Sequence, residues 1–212
     1  METEFKATVQ AGYDQLAQRG SDWAHPLRRK DKARYARLFH ESVPPGARVL
    51  ELGCGSGGGT TRSLAHRFKL LGVDLSREQL RLAQQNVPHA SLIQADMASI
   101  QFRPASFDGV IAFFSLIHVP SEEQTGLVCS IYDWLRPGGT LVATMGSKCN
   151  ERDFTEDFMG VSMYWSSLGT EANKALVKQA GFELIRADEE TEIEFDSPVT
   201  FLWIVARKPV LP

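Results

Sequence analysis

Acids set around a run of glycines are the residues of this 212-residue chain whose spacing could do chemistry. Glu51-Leu-Gly53-Cys-Gly55-Ser-Gly57-Gly58-Gly59 puts a carboxylate just before a glycine-rich turn, and Asp74 and then Asp96 follow further along. Glycines carry no side chain, so the backbone amides of such a turn can approach a ligand closely. The bare pattern is ambiguous, because Gly53-x-Gly55-x-x-Gly58 also satisfies a dinucleotide fingerprint. Asp74, about 20 residues on, would bind ribose hydroxyls in either case. Glu51 separates the possibilities: a carboxylate there would repel a pyrophosphate and would suit a ligand bearing an ammonium and a sulfonium. Taken singly, Asp74 could cap the next helix through Ser76 and Asp96 could cap a short turn. Their joint occurrence at the ends of consecutive strands favours binding.

The elements that must present these residues alternate. An amino-terminal section to about Pro45 reads as helical, with Phe5, Val9, Tyr13 and Leu16 forming one apolar stripe. Short apolar runs at 48–52, 70–73, 92–95, 107–114 and 140–145 read as strands, separated by helical segments. Ser121 with Gln124 reads as a capping box for a helix burying Leu127, Val128, Ile131, Trp134 and Leu135, and Thr170 reads as the cap of a helix stopped by Gly181. Residues 182–195 and 199–206 flank the turn Asp196-Ser197-Pro198 as a terminal hairpin. The expected fold is α/β: a Rossmann-like, doubly wound, seven-stranded sheet, mostly parallel with an antiparallel last strand and helices on both faces. Its ligand belongs at the carboxyl ends of the strands, near the switch point. A single domain is expected, with a helical cap or lid at 1–45, a ligand-binding core at 46–145, an irregular loop at 146–168, and a helix and hairpin at 169–212.

Composition narrows the function classes. With 43% hydrophobic and 23% charged residues the chain can bury one sizeable core, and a net charge of −3 gives no electrostatic reason to expect nucleic acid or an anionic membrane as partner. Cys54, Cys129 and Cys149 show no CxxC or Cys/His cluster, so neither a disulfide framework nor a metal site is expected. The start Met1-Glu-Thr-Glu-Phe-Lys lacks the layout of a signal peptide, and a cytoplasmic monomer or homodimer is expected. The basic run from Arg28 to Arg37 reads as a solvated helix face, since no interleaved aromatics mark a base-stacking platform.

Five blocks, in order, carry a family resemblance: Val49-Leu-Glu-Leu-Gly-Cys-Gly-Ser-Gly, Gly72-Val-Asp-Leu-Ser, Gln94-Ala-Asp-Met, Phe107-Asp-Gly-Val and Leu135-Arg-Pro-Gly-Gly. Over this stretch the chain resembles the class I S-adenosylmethionine-dependent methyltransferases. The resemblance implies S-adenosylmethionine as cofactor. Gly53, Gly55 and Gly57 would cradle its methionine portion, Asp74 would accept from both ribose hydroxyls, Asp96 with the Met97 amide would recognise adenine, and Leu75 would pack on the adenine. Phe113, and Tyr13 in Gly12-Tyr-Asp14, would lie beside the cofactor; a core-facing aromatic is the alternative for Tyr13. Glu51 would face the ammonium, and Cys54 reads as structural.

Methyl transfer from a sulfonium is an in-line displacement, so positioning supplies much of the acceleration and a base is optional. His118, on the loop where the resembling family places acceptor-facing residues, is the candidate base, with ordering of that loop as its alternative role. The acceptor is expected to be a small molecule, lined by His25, Phe114, Tyr164 and Trp165. Met159 and Met163 join the last two in the irregular stretch, and surface or packing roles are the plainer readings. An RNA or protein methyltransferase, a non-catalytic cofactor-binding module and a dehydrogenase are the rival readings.

Overall fold

The computed structural model describes residues 2–19, 29–194 and 196–210. Two helices come first, α1 (Glu2–Ala17) and α2 (Arg29–Ser42), followed by β1 (Arg48–Leu52), α3 (Gly59–Arg67), β2 (Lys69–Asp74), α4 (Arg77–Asn86), β3 (Ser91–Gln94) and β4 (Phe107–Ala112). A 3-10 turn, Leu116–His118, leads to α5 (Ser121–Trp134), β5 (Leu135–Gly146), β6 (Cys149–Phe158), β7 (Val161–Leu168), α6 (Thr170–Gln179), β8 (Glu183–Glu194) and β9 (Ser197–Arg207).

Seven strands form one sheet in the order β3-β2-β1-β4-β5-β9-β8. The first five are parallel and β9 runs antiparallel to both β5 and β8. The chain winds outward from β1 to β3, returns to β4 on the other side of β1, and so leaves a crevice where the order reverses. The central strands β1, β4 and β5 are apolar on both faces, as a doubly covered sheet requires. Leu50, Leu52, Val110, Ala112, Leu141 and Ala143 pack with α5 and α6, while Val49, Ile111, Val142 and Trp203 pack with α2 and α3. Glu51 lies between Leu50 and Leu52, so the pleat points it away from the α5 face.

The stretch expected as an irregular loop at 146–168 is a different structure: β6 and β7 form a separate antiparallel hairpin. Its two-residue turn, Met159 at φ 57° and Gly160 at φ 79°, has both central residues left-handed. Such turns match the strand twist but usually announce themselves as Asn-Gly or Asp-Gly, a signal Met-Gly lacks. The hairpin packs against α1 through Phe5, Val9, Leu16, Val161 and Met163. At Gly12 the helix lies so close that an added Cβ would stand 2.8 Å from the Ser162 carbonyl oxygen.

Two expected caps are not made. The Ser121 hydroxyl caps nothing, because Pro120 occupies the cap position of α5 and the Ser121 amide donates to Ser166 Oγ. Gln124 is drawn inward instead, donating to the carbonyls of Leu116, Val119 and Ser166 and fastening the turn after β4 to β7. Thr170 is the first residue of α6 and its hydroxyl donates to the Ser147 carbonyl.

Candidate functional site

A cleft of about 2130 Å³ opens at the carboxyl ends of the parallel strands. It exceeds the roughly 300–1,000 Å³ of a drug-sized ligand site. The sheet sets its floor: β1 ends before the glycine turn, β2 ends on Asp74, and β3 ends two residues before Asp96. Amides of Gly53 and Cys54 donate to the Val73 carbonyl, and Ser115 Oγ donates to the Leu52 carbonyl, which stitches the turn to its neighbours. Gly53, at φ 76°, lies against Ser115, where a Cβ would come within 2.3 Å of another. Gly55 is the open position, an added Cβ meeting only Gln79 Oε1 at 3.9 Å. Gly57 does not line the cleft; its would-be Cβ stands 3.0 Å from Ala83 Cα, so it serves the packing of α4.

Glu51 is buried, with Oε1 accepting from Thr61 Oγ1 at 3.0 Å and Oε2 without a hydrogen-bond partner among the described residues. Burial disfavours its charge and pushes its pKa up to about 8, against smaller opposing effects of Lys32 and Thr61. Asp74 Oδ2 accepts from the Gly55 amide at 2.8 Å and Oδ1 from the Ser76 amide at 2.9 Å. Ser76 itself caps α4 by accepting from the Gln79 amide. Desolvation raises Asp74 to about 6, despite these amides. At Asp96 burial again works against the charge, but hydrogen bonds from Lys6, the Ala98 amide and Ser99 outweigh it and hold the carboxyl below its ordinary value. Cys54 is buried, and desolvation keeps its thiol protonated.

His118 is held at both ring nitrogens. Nδ1 lies 2.8 Å from the Tyr164 carbonyl oxygen and must donate to it, and Nε2 lies 2.8 Å from the Tyr13 hydroxyl. A neutral ring with its proton on Nδ1 therefore accepts from Tyr13 at Nε2. Tyr13, His118, Leu75, Met97, Phe113, Phe114 and Trp165 all line the cleft. The Tyr164 ring does not: it stacks on Phe5 at 4.8 Å and lies 4.7 Å from Phe154, on the α1 side of the hairpin. Trp165 faces the cleft because neighbouring strand residues point to opposite faces. His25 lies outside the described residues.

Other lining residues were not among the sequence candidates. Lys6 Nζ bridges Asp96 Oδ2 at 2.7 Å and Glu123 Oε2 at 2.5 Å, tying α1 to the loop after β3 and to α5. Asp14 accepts from Ser76 Oγ and from the Glu78 amide, tying the other end of α1 to the start of α4. The signal for Lys6 was present: it stands seven residues before Tyr13, two turns along one helix face. Phe201 and Phe158 carried none, since only the sheet order and the hairpin bring them to this wall.

The methyltransferase domain family model matches residues 49–139, which include the glycine turn and both later acids. Trans-aconitate 2-methyltransferase of Variovorax paradoxus (strain S110) is 34% identical over 132 residues, covering 58% of this chain. The chain spans about half the length of that curated relative, 50%. In structure, the DhpI–SAH complex superposes with a TM-score of 0.76 at 20% identity, covering 99% of both chains. The Burkholderia thailandensis 1,6-didemethyltoxoflavin-N1-methyltransferase, solved with 1,6-didemethyltoxoflavin and S-adenosylhomocysteine, gives 0.71 at 18% identity, covering 99% of this chain and 91% of the other. At such identities these two likenesses speak to the fold. Sheet order, the placement of the motif blocks and the family match over residues 49–139 agree, and over that stretch the chain is similar to the S-adenosylmethionine-dependent methyltransferases.

Proposed function

We propose that the protein transfers a methyl group from S-adenosylmethionine to an oxygen or nitrogen of a small-molecule acceptor. The observation that carries this reading is Glu51, a buried carboxyl with one oxygen lacking a hydrogen-bond partner among the described residues, on the cleft wall beside the glycine turn, one strand from Asp74. A buried unsatisfied acceptor is costly unless a ligand donor completes it, and the ammonium of an amino acid moiety is such a donor. Each Asp74 oxygen keeps a lone pair for a ribose hydroxyl beyond the amide it accepts. Asp96 and the Met97 amide stand one strand further out for adenine, with Leu75 between. Gly55 leaves room for the methionine portion, while Tyr13 and Phe113 flank it.

The cofactor supplies an electrophilic methyl: the acceptor's lone pair bonds to the methyl carbon as the C–S bond breaks with its electron pair on sulfur, and the acceptor loses a proton. The chain's part is to align the acceptor and exclude water. His118 Nε2 offers the lone pair nearest that path, and Tyr13 holds it in place until an acceptor hydroxyl or N–H displaces the contact. The names of the relatives, which act on trans-aconitate and 1,6-didemethyltoxoflavin, support a small acceptor.

Thermal unfolding with S-adenosylhomocysteine or NADH tests the cofactor half, because a ligand of the native state raises apparent stability. A shift with the first alone is expected, and a shift with NADH alone would overturn the reading. Transfer of labelled methyl from S-adenosylmethionine to a metabolite fraction, absent in Asp74→Ala, tests the chemistry.

A further inference from the structure

The acceptor side of the cleft is walled by four aromatic rings in two edge-to-face pairs. Phe114 and Phe201 have centroids 5.4 Å apart at 90°, and Phe158 and Trp165 lie 5.1 Å apart at 83°. All four are half-buried, whereas the aromatics beneath them, Phe113 and Trp203, are buried. Phe114 sits at φ 56°, a left-handed conformation rare for a bulky residue, and packs edge-on against Trp203 at 5.3 Å. Strain of this kind persists where packing over-determines it and concentrates at ligand sites. Here it turns a phenyl ring toward the cleft. Trp165 lies 6.0 Å from the His118 ring, so the second pair adjoins the Tyr13–His118 hydrogen bond.

Charge argues in the same direction. Lys148 lies on this side with no ion pair among the described residues, but the carboxyls of Asp153 and Glu194 share the wall with it. A polycarboxylate or phosphorylated acceptor would need a cation excess that this balance does not provide. Lys6 is committed to Asp96 and Glu123, and the remaining lysine and arginines of the lining come from α2 (Lys32, Arg37) and α3 (Arg62, Arg67), with Lys32 acting on Glu51.

Resting on the methyl-transfer reading above, we propose that the acceptor is a planar aromatic or heteroaromatic molecule with at most one negative charge. Its ring lies against the Phe114–Phe201 and Phe158–Trp165 pairs, in the offset or edge-on contacts that aromatic quadrupoles favour, and its hydroxyl or ring nitrogen is directed toward His118. The displacement is the one already described, with the proton of the phenol or ring N–H passing to His118 Nε2 and from there to solvent.

The test uses the full chain with labelled S-adenosylmethionine and a fixed set of probes: caffeate, 8-hydroxyquinoline and a hydroxypteridine against trans-aconitate and phosphoethanolamine. Methylation of an aromatic probe and of neither aliphatic one is expected. Trp165→Ala and Phe201→Leu should each raise KM for that probe about tenfold while the thermal shift given by S-adenosylhomocysteine stays as in the parent, which also shows that both variants fold. If the S-adenosylhomocysteine shift is intact but no aromatic probe is methylated or adds a second shift, or if an aliphatic probe is the better acceptor, the aromatic class is wrong. KM values unmoved in both variants would equally remove these rings from acceptor binding. Loss of the S-adenosylhomocysteine shift in the parent protein would instead overturn the methyltransferase reading beneath it.

Discussion

The glycine-turn side of the cleft is carried by adjacent parallel strands, whereas the opposite wall is carried by α1, the β6–β7 hairpin and the loop after β4. On the first side, Glu51, Asp74 and Asp96 take their positions from a backbone ladder: Glu51 pairs with Gly72 and Asp74 with Gln94. On the second, position depends on side chains. Lys6, Tyr13 and Asp14 fasten α1 to three different loops, and Gln124 fastens the hairpin. A cofactor common to a family suits a rigid, sheet-borne site, and an acceptor that differs between enzymes suits a wall that can change without disturbing the sheet.

The contrast can be broken most sharply at Asp74. Asp74→Ala removes an acceptor of two charge-assisted hydrogen bonds, each worth about 1.5–3 kcal/mol, so S-adenosylhomocysteine affinity should fall about 100-fold or more by calorimetry. His118→Ala should lower kcat about 100-fold, and Tyr13→Phe about tenfold, with the S-adenosylhomocysteine thermal shift unchanged in both. A drop in thermal stability with kcat preserved would assign His118 to loop ordering alone.

Glu51 sharpens the comparison through pH. In the ligand-free protein it retains its proton up to about pH 8, and an ammonium beside it favours the ionised form. Binding then releases a proton below that value, so affinity should rise from pH 6 to 8 and level off above; Glu51→Gln should abolish the rise. Without ligand the sign is opposite. Between the ordinary carboxyl value of 4.5 and about 8 the unfolded chain has already lost the proton that folded Glu51 keeps, so its contribution to stability falls as pH rises. Glu51→Gln should remove that slope in urea titrations. The smallest effect is expected at Lys6, whose ion pairs are partly exposed. Lys6→Met should cost no more than about 1 kcal/mol and lower Tm by about 2–4 °C at most.

Much of this was legible in the residues and some was not. The strand ends at Glu51, Asp74 and Asp96 could be read because buried parallel strands are short apolar runs closed by polar residues. The hairpin at 149–168 could not, because its turn is Met-Gly and its first strand carries Arg152, Asp153, Glu156 and Asp157 in place of a clean alternation. The capping box at Ser121 and the cap at Thr170 were misread for one reason: local pattern cannot foresee that Ser166 accepts from the Ser121 amide and the Ser147 carbonyl from the Thr170 hydroxyl.

By itself the sequence determined the sheet's alternation and the glycine turn with its following acids, since these depend on periodicity, on backbone freedom at glycine and on the few residues at strand ends. Only the tertiary structure decided that Tyr13 meets His118, that Lys6 reaches Asp96, that Tyr164 turns away while Trp165 faces the cleft, and that Phe201 joins Phe114. Those contacts link residues as much as 105 positions apart, and no local propensity encodes them. They follow from strand order, from hairpin register and from the docking of one amphipathic helix.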